Sequence, residues 1–369
     1  MLASYYKLHR NLKLLFGAIG CLIIIGFIFI YSSSSVYALE FVHDAAYFVK
    51  KQFVGFGLGL IAAFVLALIP LRLTYCLSPL FFFGSLGITF LTLIGSFAYR
   101  IHGSSRWLNL GGFIFQPSEL LKWSLILYVA FLLSRKEDLV RKPYRRYIPI
   151  LFVLALASLI LLKQPDFGLT VTLGATVLGL FFIAYPDWKY VLWLCLMAVP
   201  VGALLIYLEP YRVKRILTFL DPWRDPQGAG FQVIQSLIAI GSGGLWGIGV
   251  SCSRQKFFYL PMQHTDFIFS IIAEETGFIG VFIVISLYIF ILYKGLQLSW
   301  HVSSVFGRYV IQGFVLLTTI QAIINMAVAV GLFPTKGIGL PFISYGNSAL
   351  LCNIAMLGII WRIVRESTL

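Results

Sequence analysis

The sequence predicts an all-α membrane protein. It reads as one integral membrane domain over residues 1–369, a bundle of about ten transmembrane helices. A single large extracytoplasmic loop, residues 209–265, is expected between helices seven and eight. Three observations predict this. Hydrophobic residues make up 60% of the chain and charged residues only 11%, against about 25% charged in soluble domains. Apolar runs of roughly 20 residues, the length that crosses a bilayer, recur from end to end. None of them alternates with the two-residue period of a membrane β-strand, so the spans are helical.

Taken in order, the spans are expected near 14–31, 52–70, 74–97, 117–134, 147–163, 168–185, 188–208, 266–293, 308–331 and 346–364. The first follows Lys7, Arg10 and Lys13 and precedes Ser32–Ser35, which resembles a signal peptide. Its apolar run exceeds the roughly 7–15 residues of a signal h-region, so it reads as a retained helix. Pro117 opens the fourth span at a position where proline suits the first helical turn. Within the long loop, Gln235–Gly249 is too short and Gly-rich for a span and reads as a re-entrant or interfacial piece.

Net charge is +14, from 28 basic and 14 acidic residues. On a chain this apolar, the excess points to lipid head groups and an anionic ligand rather than nucleic acid. Lys7, Arg10 and Lys13, the segment Arg135–Arg146, and Arg362 with Arg365 all fall on one side of a ten-span topology. That side is expected to be the cytoplasm, with both termini on it. Arg100, Arg106, Arg212, Lys214, Arg215, Arg224, Arg254, Lys256 and Lys336 fall opposite, and a cationic surface there suits phosphate. The five cysteines show no disulfide or metal spacing, and no zinc, Walker or nucleophile-elbow motif is present.

Acidic side chains near membrane helices are costly and therefore candidates for function. They are Glu119, Asp166, Asp266, Glu274 and Glu275. Asp266 stands where the long loop enters span eight, placed either to cap that helix, with Thr265 as the alternative cap, or to act as a base facing a head group. Glu119 and Lys122 are three apart on one helix face, as a structural ion pair or as a pair lining a cavity. Asp166, in the turn Lys163–Gly168, either caps span six or belongs to the site. Glu274 is expected nearer to Asp266 than Glu275 is. His264, with no partner histidine nearby, reads as a hydrogen-bonding neighbour of Asp266 rather than a metal ligand.

These residues sit in a series of motifs: Arg106-Trp107-Leu108-Asn109, Gln116-Pro117-Ser118-Glu119 with Lys122, and Gln164-Pro165-Asp166-Phe167-Gly168. Further along come Phe219–Pro222, Gln235-Ser236, Gly241–Gly244, and Leu260-Pro261 leading to His264–Phe269. The last are Pro334-Thr335-Lys336-Gly337 and Leu340–Gly346. In this order on a ten-span chain they resemble the family of shape, elongation, division and sporulation (SEDS) proteins over nearly the whole length. Pro334–Gly337 and Asp221-Pro222-Trp223 lean to its division branch over its elongation branch. Met262, where the family usually has Glu, and Asn347 and Ala349, which interrupt a Ser-Tyr-Gly-Gly-Ser-Ser pattern, are departures.

The resemblance implies a multi-pass protein of the bacterial cytoplasmic (inner) membrane that polymerises lipid II into glycan strands. Asp266 is then the catalytic base. Arg106, Glu119, Lys122, Lys163, Asp166, Arg215, Lys256, His264, Lys336 and Ser344 are then the substrate-binding set. It also implies a class B penicillin-binding transpeptidase and other division proteins as partners. A divalent cation, Mg or Mn, is compatible with such chemistry, though no residue cluster specifies one. The rival expectations are a lipid II flippase, an elongation-type polymerase and a scaffold.

Overall fold

The computed structural model describes residues 2–94, 99–101, 104–111, 113–135, 144–185, 188–228, 230–253, 255 and 263–368. Twelve α-helices are described: α1 Leu2–Val42, α2 Tyr47–Leu68, α3 Leu71–Leu91, α4 Pro117–Ser134, α5 Tyr144–Lys163, α6 Phe167–Ala184, α7 Trp188–Tyr207, α8 Pro210–Leu220, α9 Phe231–Gly243, α10 Ile268–Trp300, α11 Val305–Ala329 and α12 Asn347–Glu366. The ten expected spans correspond to α1–α7 and α10–α12. Among the described residues, eight helices are long and apolar enough to cross a membrane. α5 and α7 are 20-residue helices in the places expected for the other two. The architecture is an all-α polytopic membrane bundle.

α1 is longer than its apolar run. Ser33 and Ser34 donate their hydroxyls back to the Ile30 carbonyl, so the polar run continues the helix instead of ending it. The same stretch packs on α10: Ser32 donates to Glu275, and the Ser33 carbonyl accepts from Gln263 at 2.7 Å.

The connection between α3 and α4 holds three short antiparallel strands, β1 Tyr99–Ile101, β2 Ser104–Leu110 and β3 Phe113–Phe115, in that spatial order. Leu108 pairs with Phe115 and Leu110 with Phe113 across a turn at Gly111, whose φ of 63° favours glycine. Short β-prone runs separated by Gly-Gly are the sequence signal for this hairpin.

The segment 209–265, expected as a loop with a re-entrant or interfacial piece at Gln235–Gly249, is helical in part. It contains α8, a 3-10 turn at Pro222–Arg224, and α9. After α9 the chain docks into a break in α10. Gly277 leaves helical geometry at φ 63°, ψ −160°, freeing backbone groups on both sides. Phe278 N–H donates to Gly244 O at 2.9 Å, and Ile248 N–H donates to Glu274 O at 3.1 Å. A broken helix at membrane depth must find such partners. Only glycines permit the approach. A Cβ at Gly277 would lie 2.4 Å from Gly247 N, and one at Gly247 would lie 2.2 Å from Glu275 O.

Hydrogen bonds define two ends of the bundle. At one, Glu366 near the end of α12 accepts from Leu71 N–H at the start of α3, and Ser303 N–H bonds Ser367. At the other, the start of α2 meets the 331–346 segment through Gln52 and Gly346. α1 passes from its N-terminus to Ser32 and Ser33 at this second end. Both termini therefore lie at the end opposite Asp266.

Candidate active site

The motifs separated in sequence meet at the second end of the bundle. β2 carries Arg106 to the α5–α6 turn, where its guanidinium donates to Gln164 O at 2.8 Å and Pro165 O at 2.7 Å and pairs with Asp166 at 3.5 Å. Asp166 also caps α6, accepting from Leu169 N–H at 3.2 Å. The two readings of this residue are thus compatible. Burial raises its pKa, and Arg106 acts in the opposite direction. Gly168 lets the 331–346 segment close over this turn, since a Cβ there would meet Ile338 Cδ1 at 2.7 Å.

Glu119 and Lys122 form a 2.5 Å ion pair in the first turns of α4, with the Lys122 side chain almost wholly buried. Both lie within electrostatic reach of Asp166. Lys122 also donates to Gln321 of α11 at 3.4 Å.

Asp266 precedes α10 and does not cap it. The residue at the cap position is Phe267, and no side chain caps the helix, which corrects the expectation for Thr265 and Asp266. The carboxylate is partly buried and lies beside the 331–346 segment. A Cβ at Gly337 would stand 3.5 Å from Asp266 Oδ2. Burial pushes its pKa up to about 7, with Arg215 and Arg106 opposing and Asp166 adding to the rise. Arg215 on α8 is held by Thr335 O at 2.6 Å and by the Tyr211 hydroxyl. Lys336 lies 5.1 Å above the Phe167 ring. Its pKa falls to about 8, first through burial and then through repulsion by Arg215. Among the described residues neither cation has a salt-bridge partner.

The other expected site residues fall as follows. His264 is not hydrogen-bonded to Asp266. It is buried among Phe48, Tyr37 and Tyr345, with ring centroids 4.5, 6.0 and 5.7 Å away. Burial lowers its pKa to about 4, so it is neutral at physiological pH. The Ser344 hydroxyl staples the loop, donating to Thr265 O at 2.6 Å and accepting from Leu340 N–H at 2.7 Å. Lys163 is exposed at the end of α5 and makes no salt bridge among the described residues. Lys256, Arg254 and Met262 lie outside the described residues, as do Lys136, Arg141 and Lys142 of the basic segment. Glu274 and Glu275 are both buried near the start of α10. Their carboxylates accept from the Ser253 and Ser32 hydroxyls.

Sequence reasoning missed two amides on α11. Gln321 donates to Gly339 O at 2.9 Å, and Asn325 donates to Asp266 O at 2.8 Å and Ile338 O at 2.7 Å. Polar amides four apart in an apolar span were the available signal. Among the described residues no group of three or more His, Cys, Asp or Glu is arranged to hold a metal.

Fold and site together define a polytopic membrane protein that gathers, at one end of the bundle, two cations without a salt bridge among the described residues and a carboxylate of raised pKa. The model of the FtsW/RodA/SpoVE family, described as "Cell cycle protein", matches residues 12–369. A probable peptidoglycan glycosyltransferase FtsW of Trichlorobacter lovleyi is 40% identical over 338 residues, 92% of this chain and 89% of that one. Stage V sporulation protein E of Bacillus subtilis is 37% identical over 346 residues, 94% of each. A chain from a structure described as "Structural coordination of polymerization and crosslinking by a peptidoglycan synthase complex" superposes with a TM-score of 0.79. It is 31% identical, and the match covers 96% of this chain and 97% of that one. The rod shape determining protein RodA of Thermus thermophilus gives 0.71 at 26% identity, with the same coverage. The chain belongs to the FtsW/RodA/SpoVE family.

Proposed function

We propose that this chain is a peptidoglycan glycosyltransferase that polymerises lipid II at the outer face of the bacterial cytoplasmic membrane during division. The observation that carries this reading is the pairing of Arg215 and Lys336, two cations that repel each other without a salt-bridge partner among the described residues, beside Asp266. A diphosphate between the cations relieves their repulsion. A carboxylate with a pKa of about 7 is matched to taking a proton at physiological pH.

In the proposed reaction the acceptor's 4-hydroxyl oxygen attacks the anomeric carbon of the donor sugar, with inversion. Asp266 takes the hydroxyl proton. The bond from the anomeric carbon to the diphosphate oxygen breaks, and the electron pair leaves with undecaprenyl diphosphate. Arg215 and Lys336 stabilise that charge as it develops. Arg106 keeps Asp166 and the α5–α6 turn in place beside them. The apolar faces of the bundle accommodate the polyprenyl tail. The proposed chemistry makes glycan strands, and a single-span penicillin-binding transpeptidase is the proposed partner that cross-links them. FtsW-named relatives support the division role, and the synthase complex supports the partner.

Purified protein reconstituted with lipid II, with and without a transpeptidase, tests the reading by the length of glycan strands formed. Asp266→Asn is expected to lower turnover by about 10²–10⁴-fold, the worth of a general base. Wild-type turnover in that variant would refute Asp266 as the base. Lipid II crossing the membrane without strand synthesis by the wild type would favour a flippase.

A further inference from the structure

α11 has no part in the proposed chemistry, yet it touches the backbone of Asp266 itself. Asn325 is buried within an apolar span, and one side-chain nitrogen serves two loops at once. Nδ2 lies 2.8 Å from the Asp266 carbonyl and 2.7 Å from the Ile338 carbonyl. An amide NH2 carries two hydrogens, one for each. One turn earlier, Gln321 donates to Gly339 O at 2.9 Å, next to the same strand of backbone. Asn325 Oδ1 is buried without a hydrogen-bond partner among the described residues, so the contacts to the loops are what retain this amide.

We propose that Asn325 is a positioning residue for Asp266, clamping the turn that carries the carboxylate to the segment that carries Lys336 and Gly337. The proposal rests on the assignment of Asp266 as base. Without the clamp, the described bonds that still tie the 263–267 turn to the following loop are Ser344 to Thr265 O and Tyr345 N–H to His264 O, one and two residues before Asp266. The depth of Asp266 and its distances to Arg215 on α8, Arg106 on β2, Asp166 in the α5–α6 turn and Lys336 would then change together. Asparagine suits the task because a neutral side chain with two donors meets two carbonyls. Aspartate there would face both with oxygen.

The test uses the full chain in lipid nanodiscs. Infrared titration follows the carboxyl stretch of protonated Asp266, identified by its loss in Asp266→Asn. In Asn325→Ala the midpoint is expected to move toward the ordinary carboxylate value by about one unit or more. kcat is expected to fall by about 10²-fold with KM little changed, the size of effect that follows displacement of a catalytic group. A folded Asn325→Ala with wild-type midpoint and kcat would overturn the proposal. Should that variant fail to fold, Asn325→Thr, which keeps one donor and most of the volume, carries the same test. The midpoint is read without turnover, so wild-type turnover in Asp266→Asn would defeat the base assignment while leaving the clamp measurable.

Discussion

A base that works near neutral pH must hold its proton more tightly than an ordinary carboxylate, and for Asp266, the proposed base, burial has this effect against the pull of Arg215 and Arg106. The motif made Asp266 legible in the sequence. The direction of its shift was not, because it depends on depth and distance together. The expected acid limb of the pH–rate profile lies near pH 7, with activity falling as pH falls and Asp266 takes up its proton. The sign for stability is opposite. A carboxylate whose folded pKa is raised binds its proton better in the folded chain, so this group's contribution is least favourable above pH 7. Asp266→Asn removes the cost of burying that charge, and its melting temperature at pH 8 is expected to equal or exceed that of the wild type. A lower one would mean that Asp266 is a structural residue. Lys336 and Arg215 make the complementary case. Lys336→Met removes the cation and keeps most of the apolar stem over Phe167. It is expected to weaken lipid II binding about tenfold or more, while binding of a neutral lipid with the same tail stays unchanged. Equal losses on both lipids would indicate damage to the fold.

Individual helices were legible wherever an apolar run of span length stood alone. Ten such runs became ten helices because length and apolarity decide the outcome in a bilayer. What escaped were features made by contact between distant segments. The break in α10 is an example. Its sequence reads as a continuous apolar helix, and only the arrival of 244–249 makes Gly277 a hinge with satisfied backbone groups. The strands that deliver Arg106 escaped for a different reason: each is only 3 or 7 residues long, too short for its pattern to stand out beside the spans. Gly277→Ala therefore forces a side chain into a left-handed backbone position against Gly247 and Leu245. Strain of this kind costs about 1–3 kcal/mol before the steric clash is added. Gly84→Ala, on an exposed turn of α3 with open space around it, is the matched control. It is expected to be neutral or stabilising by up to about 1 kcal/mol. Thermal unfolding in detergent checks both. Equal stability of the two variants would mean that the 244–249 segment does not seat in α10 as described.

At the scale of the whole molecule, the proposal depends on which side of the membrane the site faces. The bundle puts both termini at the end opposite Asp266, where Glu366 bonds the start of α3. Lys7, Arg10 and Lys13 belong to that end, as do Arg362 and Arg365. Basic residues in short connections remain on the cytoplasmic side. Segment 209–265 carries basic residues too, but long loops cross largely regardless of charge. The two observations together support the proposed placement of the site on the outer face, where lipid II must be to join a growing wall. In a chain with its five cysteines replaced, Asp225→Cys should react with a membrane-impermeant maleimide added to intact spheroplasts. Val140→Cys should react only after the membrane is opened. The reverse pattern would turn the site to the cytoplasm and end the case for polymerisation at the outer face, whatever Asp266 does there.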